Sequence, residues 1–269
     1  MKLNYETCIT GGTGESKVIL APYRPEHIPN YHEWMKDPDL LEATGSEPLS
    51  YEEEIQMQQS WKDDETKCTF IIHAAGNQHQ KHDGNNDDDD DDDEDDKNVN
   101  DDDNAVFHVE DNLSTMIGDV NLFLSEIDDD DDDHNNGNDI QQSIPEIPTR
   151  TPKIRLQAEI DIMIGNKEYH RKGYGYSATI LMLLYGAKQL NIKRFFCKIN
   201  EDNISSIRLF QRLGFIQCNY AECFKQIEFE LKLVCSSSSS DDDDDITMYS
   251  FLLDKYKVGC YKTIPCGEC

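Results

Sequence analysis

Long apolar runs are absent from this 269-residue sequence, and so are several other features that would mark particular protein classes. No apolar stretch approaches the roughly eighteen residues of a membrane-spanning helix, and residues 1–5 lack the apolar core of a signal peptide. Basic residues are scarce, 25 against 55 acidic ones, and a strongly negative field disfavours direct nucleic-acid binding. We therefore expect no membrane or nucleic-acid partner and a cytoplasmic location, with the nucleus as an alternative.

Paired cysteine motifs are also nearly absent. The nine cysteines are scattered and odd in number, which favours reduced thiols rather than a disulfide framework. Near the end of the chain, Cys260, Cys266 and Cys269 supply three zinc ligands, whereas a closed structural zinc site needs four. The sequence therefore predicts no metal.

Acidic residues are concentrated in three low-complexity tracts. Residues 83–103 hold fourteen together with Lys97, residues 128–139 hold seven and residues 241–245 hold five. The three tracts therefore carry −25 of the formal net charge of −30, and the rest of the chain carries only about −5. Runs of like charge repel one another and bury little apolar surface, so we expect these tracts to be disordered. They are interpreted as tolerated expansions of surface loops, with an acidic arm for a basic partner as the alternative.

The remaining sequence is long enough for one domain. We assign residues 1–235 to it, interrupted by inserts at about 76–104 and 127–152, and residues 236–269 to a linker and a tail that packs peripherally or not at all. The predicted class is α/β, an α+β mixed sheet with helices on both faces. Apolar alternation and helix-start signals predict these elements: strands at 18–23, 69–74, 120–124, 154–164, 195–199 and 227–233, and helices from 28, 50, 176 and 203.

The most informative motif follows the strand at 159–164. The polar turn His170-Arg171-Lys172-Gly173-Tyr174-Gly175 leads from that strand into a long helix that begins at Tyr176. Glycines there leave backbone N–H groups free, and the helix dipole adds positive potential, so the junction suits a phosphate group. The chain has neither the lysine–hydroxyl ending of a nucleotide P-loop nor a G-x-G-x-x-G motif.

A second motif lies about thirty residues downstream. The segment Asn203-x-x-Ser206-x-x-Leu209-Phe210-x-Arg212-x-Gly214-Phe215 begins with a good helix N-cap and ends with a glycine suited to terminate the helix. The two motifs together resemble the acetyl-CoA loop Q/R-x-x-G-x-G/A and the N-x-x-A-x-x-L-Y-x-K-x-G-F segment of the GCN5-related N-acetyltransferases. This resemblance implies acetyl-CoA as the acetyl donor and the fold of that superfamily.

The N-terminal third narrows the resemblance. The segment from Val18 to His27 and then Tyr31-His32-Glu33-Trp34-Met35 is similar to the opening of the ribosomal-protein-type acetyltransferases. Residues 41–49, 67–71 and 118–124 are similar to the N-acetyltransferase 9 family in particular. The resemblance covers residues 17–233 apart from the inserts and implies a protein acceptor, with tubulin as the implied one.

Acetyl transfer needs a base for the amine, stabilisation of the carbonyl oxygen and a proton for the thiolate. Glu159 and Asp161 are acidic residues on one face of an otherwise apolar strand, which is unusual for a buried face but ordinary for a solvated one. Glu159 lies fourteen residues before Gly173, where histone-acetylating relatives carry their base. We therefore expect Glu159 as the general base and Asp161 as the alternative.

The resemblance assigns the donor site to two segments. Backbone N–H groups of Met163 and Ile164 are expected to stabilise the oxyanion if the strand splays there, and the N–H groups of the glycine turn are expected to hold the pyrophosphate. His170 replaces the family's Gln or Arg at the first loop position. The expected cofactor-binding residues are Ile162, Met163, Ile164, His170, Arg171, Lys172, Gly173, Tyr174, Gly175, Tyr176, Asn203, Ser206 and Phe210.

Two parts of the site depart from this scheme or are weakly specified. Phe210 occupies the position of a tyrosine that protonates the thiolate in many relatives, and a phenylalanine has no proton to give. The loop between the first helices is expected to border the acceptor groove, through Trp34, Glu42, Thr44 and Glu47; the alternative is an ordinary solvated loop with Trp34 in the core.

The sequence is thus interpreted as an acetyl-CoA-dependent N-acetyltransferase that acts on an amine of a protein. A non-catalytic acetyl-CoA-binding or microtubule-associated module, suggested by Phe210, is one alternative. An acetyltransferase for a small amine or for a ribosomal-protein N-terminus is the other.

Overall fold

The computed structural model describes residues 4–75, 106–127, 155–233, 250–258 and 260–267. The predicted insert at 76–104 and most of the predicted linker lie outside the described residues. So does the insert predicted at 127–152, except for Ile127, the last residue of a strand.

The described residues form a sheet of nine strands together with several helices. The strands are β1 (Thr7–Thr13), β2 (Ser16–Pro22), β3 (Lys67–Ala74), β4 (Met116–Ile127), β5 (Arg155–Ile164), β6 (Arg194–Asn200), β7 (Ile216–Ala221), β8 (Gln226–Lys232) and β9 (Cys260–Pro265). The helices are α1 (Ile28–Trp34), α2 (Pro38–Thr44), α3 (Tyr51–Asp63), α4 (Tyr174–Gln189) and α5 (Ile204–Arg212). Helix α3 begins after residue 50, as predicted, with a capping box in which the Glu53 N–H donates to Ser50 Oγ and the Ser50 N–H donates to Glu53 Oε2.

All nine strands join one sheet in the order β7-β8-β6-β5-β4-β3-β2-β1-β9. The β5–β6 pairing is parallel and the other described pairings are antiparallel. Residues 157–159 of β5 pair with residues 194–196 of β6, and pairing between these two strands stops there. Beyond that point β5 stays beside β4 up to Ile164 while β6 stays beside β8 up to Asn200, so the two strands separate.

Helices cover both faces of the sheet, as the predicted fold class requires. Helix α4 is apolar on nearly all sides, and residues 177–187 within it are all buried, which is the pattern of a core helix. It packs with both halves of the sheet into the main hydrophobic core, which includes Phe70, Leu122, Ile160 and Phe195. Each such fully buried side chain contributes about 1.5–3 kcal/mol. Helix α1 covers the opposite face in a second cluster.

Strands β1, β7 and β9 and helix α2 were not located by the sequence analysis. Strand β1 has the sequence Thr-Cys-Ile-Thr-Gly-Gly-Thr, whose two glycines and polar residues hide a strand pattern. Helix α2 has only seven residues, and Asp37 caps it by accepting a hydrogen bond from the Asp39 N–H. Strand β9 pairs with β1 at the edge of the sheet.

The expectation that the tail packs peripherally or not at all does not hold for its described residues. Leu252 is fully buried and Tyr256 is 5% exposed, and both belong to the main core. The Tyr256 hydroxyl donates a hydrogen bond to the Leu213 carbonyl oxygen at 2.8 Å. Leu252 and Tyr256 lie four residues apart on one face of a helical turn and anchor this segment in the core. A pattern of only two apolar residues is too short to predict such packing from the sequence.

Candidate active site

A cleft of about 440 Å³ opens where β5 and β6 separate. Its walls come from the end of β5, the loop 169–173, the start of α4, the side of α5 and the second half of β6, and part of α2 closes it. Because the strands diverge, backbone groups along one edge of β5 have no neighbouring strand and face this space. The cleft therefore combines an open strand edge with the N-terminus of a long helix.

The loop before α4 is shaped by two left-handed residues. Arg171 has φ 59° and Gly173 has φ 91°, and Gly173 is the N-cap of α4. Left-handed residues alternating with right-handed or extended ones turn successive N–H groups inward and form an anion-binding concavity. The sixteen-residue helix that follows adds its positive end and carries no acidic residue in its first turn. This geometry fits a diphosphate.

The β1–β2 hairpin braces the loop from behind. Ser16, in this hairpin, donates a hydrogen bond from its hydroxyl to the Lys172 carbonyl oxygen. The Thr13 N–H donates to Ser177 Oγ at 3.1 Å, which fixes the first turn of α4. A Cβ at Gly173 would lie 2.7 Å from Ser16 Oγ. Positive φ and this close approach together explain why residue 173 is a glycine.

His170 ties the loop to the end of β5. Its Nε2–H donates to the Ile164 carbonyl oxygen at 2.7 Å, while its side chain stays exposed to solvent. Through this bond the imidazole holds the backbone of the loop in place. Positive charge beside the loop comes from Arg171 and Lys172, which are also exposed. The departure from Gln or Arg at this position is therefore compatible with a phosphate loop built mainly from backbone groups.

The open edge of β5 presents backbone groups of its even-numbered residues. The Lys193 N–H donates to the Leu156 carbonyl oxygen, which places the backbone groups of residue 156 on the β6 side. Since successive residues of a strand direct their N–H groups to opposite edges, those of Ile162 and Ile164 face the cleft and that of Met163 faces β4. The Met163 N–H was one of the two expected at the oxyanion, and its direction is a correction to that expectation.

The two candidate carboxylates have different surroundings. Glu159 forms an ion pair with Lys198, whose Nζ lies 3.0 Å from Glu159 Oε2, and it does not line the cleft. Asp161 does line the cleft, and its Oδ1 accepts the Ile162 N–H at 2.8 Å. The pKa of Asp161 is raised to about 6, mainly by burial; the Ile162 hydrogen bond opposes this rise and the charge of Glu159 adds to it.

The expected acceptor residues are only partly brought together. Thr44 lines the cleft, and its hydroxyl donates to the Leu40 carbonyl oxygen at 2.8 Å. Trp34 instead packs on Gly165, where any Cβ would overlap the indole ring. Glu42 and Glu47 are exposed outside the cleft lining, although the Glu42 carbonyl oxygen accepts a hydrogen bond from the Asn200 side chain at 3.1 Å.

Helix α5 brings its motif residues to the cleft. Asn203 Oδ1 accepts the Ser206 N–H at 3.1 Å, so the predicted cap forms, and both residues line the cleft. Phe210 also lines it but is only 3% exposed, and its ring packs edge-to-face on Phe215 with centroids 5.0 Å apart. Phe210 therefore acts as an apolar wall and supplies no proton.

A match to a known domain family covers most of the chain: the acetyltransferase (GNAT) domain matches residues 17–216. The chain belongs to the GNAT acetyltransferase family. It is an N-acetyltransferase by this match and by its relatives, as the sequence predicts.

Individual relatives of the acetyltransferase support the narrower resemblance. An N-acetyltransferase 9-like protein from Nematostella vectensis is 35% identical over 84% of this chain and 86% of its own. The Mus musculus alpha/beta-tubulin-N-acetyltransferase 9 is 34% identical over 86% of this chain and 73% of its own. The structure of Mycobacterium smegmatis RimJ in complex with CoA-disulfide has a TM-score of 0.54 at 9% identity, over 94% of this chain and 96% of that one. That last likeness shows the fold alone.

Several cleft residues of the acetyltransferase were missed by the sequence analysis. Arg208 and Arg212 stand four residues apart on α5, and the Arg212 guanidinium lies 4.3 Å from the centroid of the Tyr176 ring. Their i, i+4 spacing beside the Asn203 motif was the available signal. Other missed lining residues come from β6 and from the turn before the loop, where the sequence carries no marker: Tyr169, Cys197, Lys198 and Ile199.

Proposed function

We propose that this acetyltransferase transfers the acetyl group of acetyl-CoA to an amine of a protein, with tubulin as the first acceptor to test. The observation that carries the proposal is the placement of Asp161 in the same cleft as the left-handed phosphate loop. Curated relatives from mouse, human and Drosophila melanogaster, 33–34% identical, are named alpha/beta-tubulin-N-acetyltransferase 9, which supports tubulin as the acceptor class. We place the reaction in the cytoplasm.

The donor is held by backbone groups. The N–H groups from Arg171 to Gly175 and the end of α4 bind the diphosphate, and His170 keeps this loop against the end of β5. Asn203 and Ser206 border the pantetheine path, and Phe210 forms its apolar wall. Acetyl-CoA supplies the activated thioester, and these residues orient it along the open strand edge.

Asp161 is the proposed general base. Its carboxylate removes a proton from the acceptor ammonium, which leaves the nitrogen lone pair free to attack the thioester carbon. The Ile164 N–H, on the open edge of β5, is placed to donate to the oxygen as negative charge develops there. Glu159 is less suited because Lys198 already neutralises it. The thiolate is a good leaving group, so the proton that Phe210 lacks can come from solvent.

The proposal is tested with purified protein, acetyl-CoA and three acceptor classes: αβ-tubulin, peptides that carry the tubulin or ribosomal-protein N-termini, and polyamines. Free thiol detection with DTNB measures turnover, and mass spectrometry locates the acetyl group. Acetylation of tubulin at a defined amine supports the proposal. Turnover only on polyamines or on ribosomal-protein peptides contradicts the tubulin assignment.

A non-catalytic module is the second candidate, because buried Phe210 lacks the proton that a tyrosine would give. This candidate predicts saturable binding of acetyl-CoA by calorimetry with no thiol release on any of the three acceptor classes.

A further inference from the structure

A buried polar pair on β4, next to the open end of β5, is not accounted for by the proposed mechanism. Asp119 and Asn121 are each 2% exposed. The Asn121 side-chain N–H donates to Asp119 Oδ2 at 2.7 Å. The second oxygen of each group, Asp119 Oδ1 and Asn121 Oδ1, is buried without a hydrogen-bond partner in the described part of the chain. A buried polar atom without a partner destabilises the folded state, so two together require an explanation.

One proton on Asp119 satisfies both oxygens. Both unpartnered atoms are acceptors when Asp119 is ionised, and neither can bond to the other. A protonated Asp119 carries an O–H donor, and a carboxylic acid facing a carboxamide forms a closed pair of hydrogen bonds. In that pair the Asn121 N–H donates to one carboxyl oxygen, and the Asp119 O–H donates to the Asn121 carbonyl oxygen.

The surroundings favour the same protonation state. The pKa of Asp119 is raised to about 7, first by burial and also by the charge of Asp161, while the hydrogen bond from Asn121 acts in the opposite direction. Asp161 ionises first, at about 6. Between about pH 6 and 7 the two carboxyl groups therefore hold approximately one proton between them.

The strand register connects this pair to the reacting end of β5. Across the β4–β5 ladder, Asp119 lies opposite Met163 and Asn121 lies opposite Asp161. Alternate residues of paired strands share a face, so these four side chains are neighbours on one side of the sheet. Gly118 allows this approach, because a Cβ there would overlap the Met163 carbonyl oxygen.

Groups on the packed elements complete the electrostatic environment. Tyr23, after β2, and Tyr31, on α1, both have raised pKa values, from burial first and from nearby acidic residues including Asp119. Glu54, on α3, faces Tyr23, has its pKa raised by burial and lies 3.6 Å from His32. On β5 itself, the charge of Glu159 also raises the pKa of Asp161. Asp119 thus interacts with two tyrosine hydroxyls, and Asp161 is the carboxyl group that acts on it.

We propose that Asp119 and Asp161 act as one two-carboxyl unit, in which Asp119 is a positioning residue that stores a proton, bound to Asn121, and sets the basicity of Asp161. This inference rests on the proposed function, since Asp161 is the group that accepts the proton from the acceptor amine. That step breaks an N–H bond and forms an O–H bond on Asp161, and the nitrogen lone pair attacks the thioester carbon. Asp119 does not touch the substrate.

The unit predicts a two-step dependence of kcat/KM on pH. The first rise follows ionisation of Asp161, and the second follows ionisation of Asp119, whose new charge makes Asp161 a stronger proton acceptor. The D119N variant keeps a neutral partner for Asn121, because two carboxamides also form a closed hydrogen-bonded pair. It should therefore fold and bind acetyl-CoA normally, show only the first rise, and be about twofold to tenfold slower above pH 8.

The test combines rate profiles with carbon-13 NMR of the full chain labelled at aspartate carboxyl carbons. Wild type should show two aspartates that titrate above pH 5, D119N should lose the upper one, and D161N should move the remaining one to lower pH. E54Q is the matched control, because Glu54 is a buried carboxyl on α3, which packs against α1, and it should leave both titrations and both rises unchanged.

Other outcomes overturn the inference. A single elevated titration in wild type, or two that persist in D119N, shows that Asp119 does not store the proton. Two titrations with identical rate profiles for wild type and D119N show that the stored proton has no effect on Asp161 in catalysis. No turnover on any amine overturns the proposed function and the catalytic role of the unit, while the NMR titrations still decide where the proton is held.

Discussion

The two sides of the cleft are built by different means. On the donor side, the loop before α4 uses main-chain N–H groups and left-handed residues. About six consecutive residues therefore determine its capacity to bind a diphosphate. On the acceptor side, Asp119, Asn121 and Asp161 come from two strands and are brought together by register. The first kind of site depends on backbone conformation and the second on burial of side chains. Variants can test each side separately.

The largest effect is expected from the donor side, with Gly173→Glu. Residue 173 has φ 91° and little space beside Ser16, and the new carboxylate would oppose the diphosphate. Strain of about 1–3 kcal/mol and charge repulsion together should reduce the affinity for coenzyme A by at least about 100-fold in calorimetry. Gly45→Glu is the matched control, since Gly45 has φ 62° in open space at the end of α2. It should lower the melting temperature but keep the affinity; equal affinities in both variants would contradict a backbone phosphate site.

The next effect concerns the choice between two carboxylates. Asp161→Asn should lower kcat by about 10²–10⁴-fold without changing coenzyme A affinity, because the proton acceptor is lost. Glu159 is the neighbour of Asp161 on the same face of β5. Glu159→Gln should change kcat only slightly, since Glu159 is paired with Lys198. Steady-state kinetics with tubulin measure both. A larger loss in Glu159→Gln would restore the expectation drawn from the family resemblance.

The pH dependence gives a prediction about the same carboxylate. The pKa of Asp161 is raised to about 6, and only the ionised form accepts a proton. The rate should therefore fall about tenfold for each pH unit below about 6. A rate that stays constant down to pH 5 would exclude Asp161 as the base.

A pair of buried histidines outside the cleft gives a smaller effect, on stability. The Arg24 N–H donates to His27 Nδ1, so His27 Nε2–H donates to His73 Nε2 at 3.3 Å, and both rings are neutral. Burial lowers the pKa of His73 to about 4 and lowers that of His27 as well. A depressed histidine pKa means that stability is complete above about 6.5 and is lost as pH falls towards 4, by up to about 1.4 kcal/mol per pH unit for each ring.

Chemical denaturation between pH 7 and 4.5 measures this slope. His73→Phe should be less stable at pH 7 yet show a shallower decline on acidification. Asp119 and Asp161 act in the opposite direction, because a raised carboxyl pKa adds stability as pH falls, so the comparison is made between variant and wild type. An unchanged slope in His73→Phe would show that the histidines ionise without cost.

The smallest effect is expected from removal of the acidic tracts. His73 pairs with Met116 across the first insert, and Ile127 pairs with Arg155 across the second, so both inserts connect adjacent paired strands. Because loop closure costs only about 0.6 kcal/mol per doubling of length, deleting residues 83–103 and 128–139 together should change coenzyme A affinity little and the melting temperature by only a few degrees. A large fall in melting temperature would show that these segments stabilise the domain.

The sequence specified the donor side far better than the acceptor side. The apolar strand at 159–164, the glycine loop and the Asn203 cap are local patterns, and their elements form where they were predicted. Strand β1, whose Thr13 N–H donates to Ser177 in the first turn of α4, lacks a periodic apolar pattern. The neighbourhood of Asp119 and Asp161 depends on a register between strands separated by a long insert, and no local pattern records it.

Strand β9 pairs with β1 from Thr7 to Gly12, and the β1–β2 hairpin touches the phosphate loop through Ser16. We therefore expect the last described strand of the chain to be coupled to coenzyme binding, even though it lies at the far edge of the sheet. Such coupling is reciprocal. If pairing of β9 stabilises the ordered loop and so favours coenzyme binding, then bound coenzyme stabilises the pairing of β9 by the same free energy. Limited proteolysis near the C-terminus should then be slower when coenzyme A is bound.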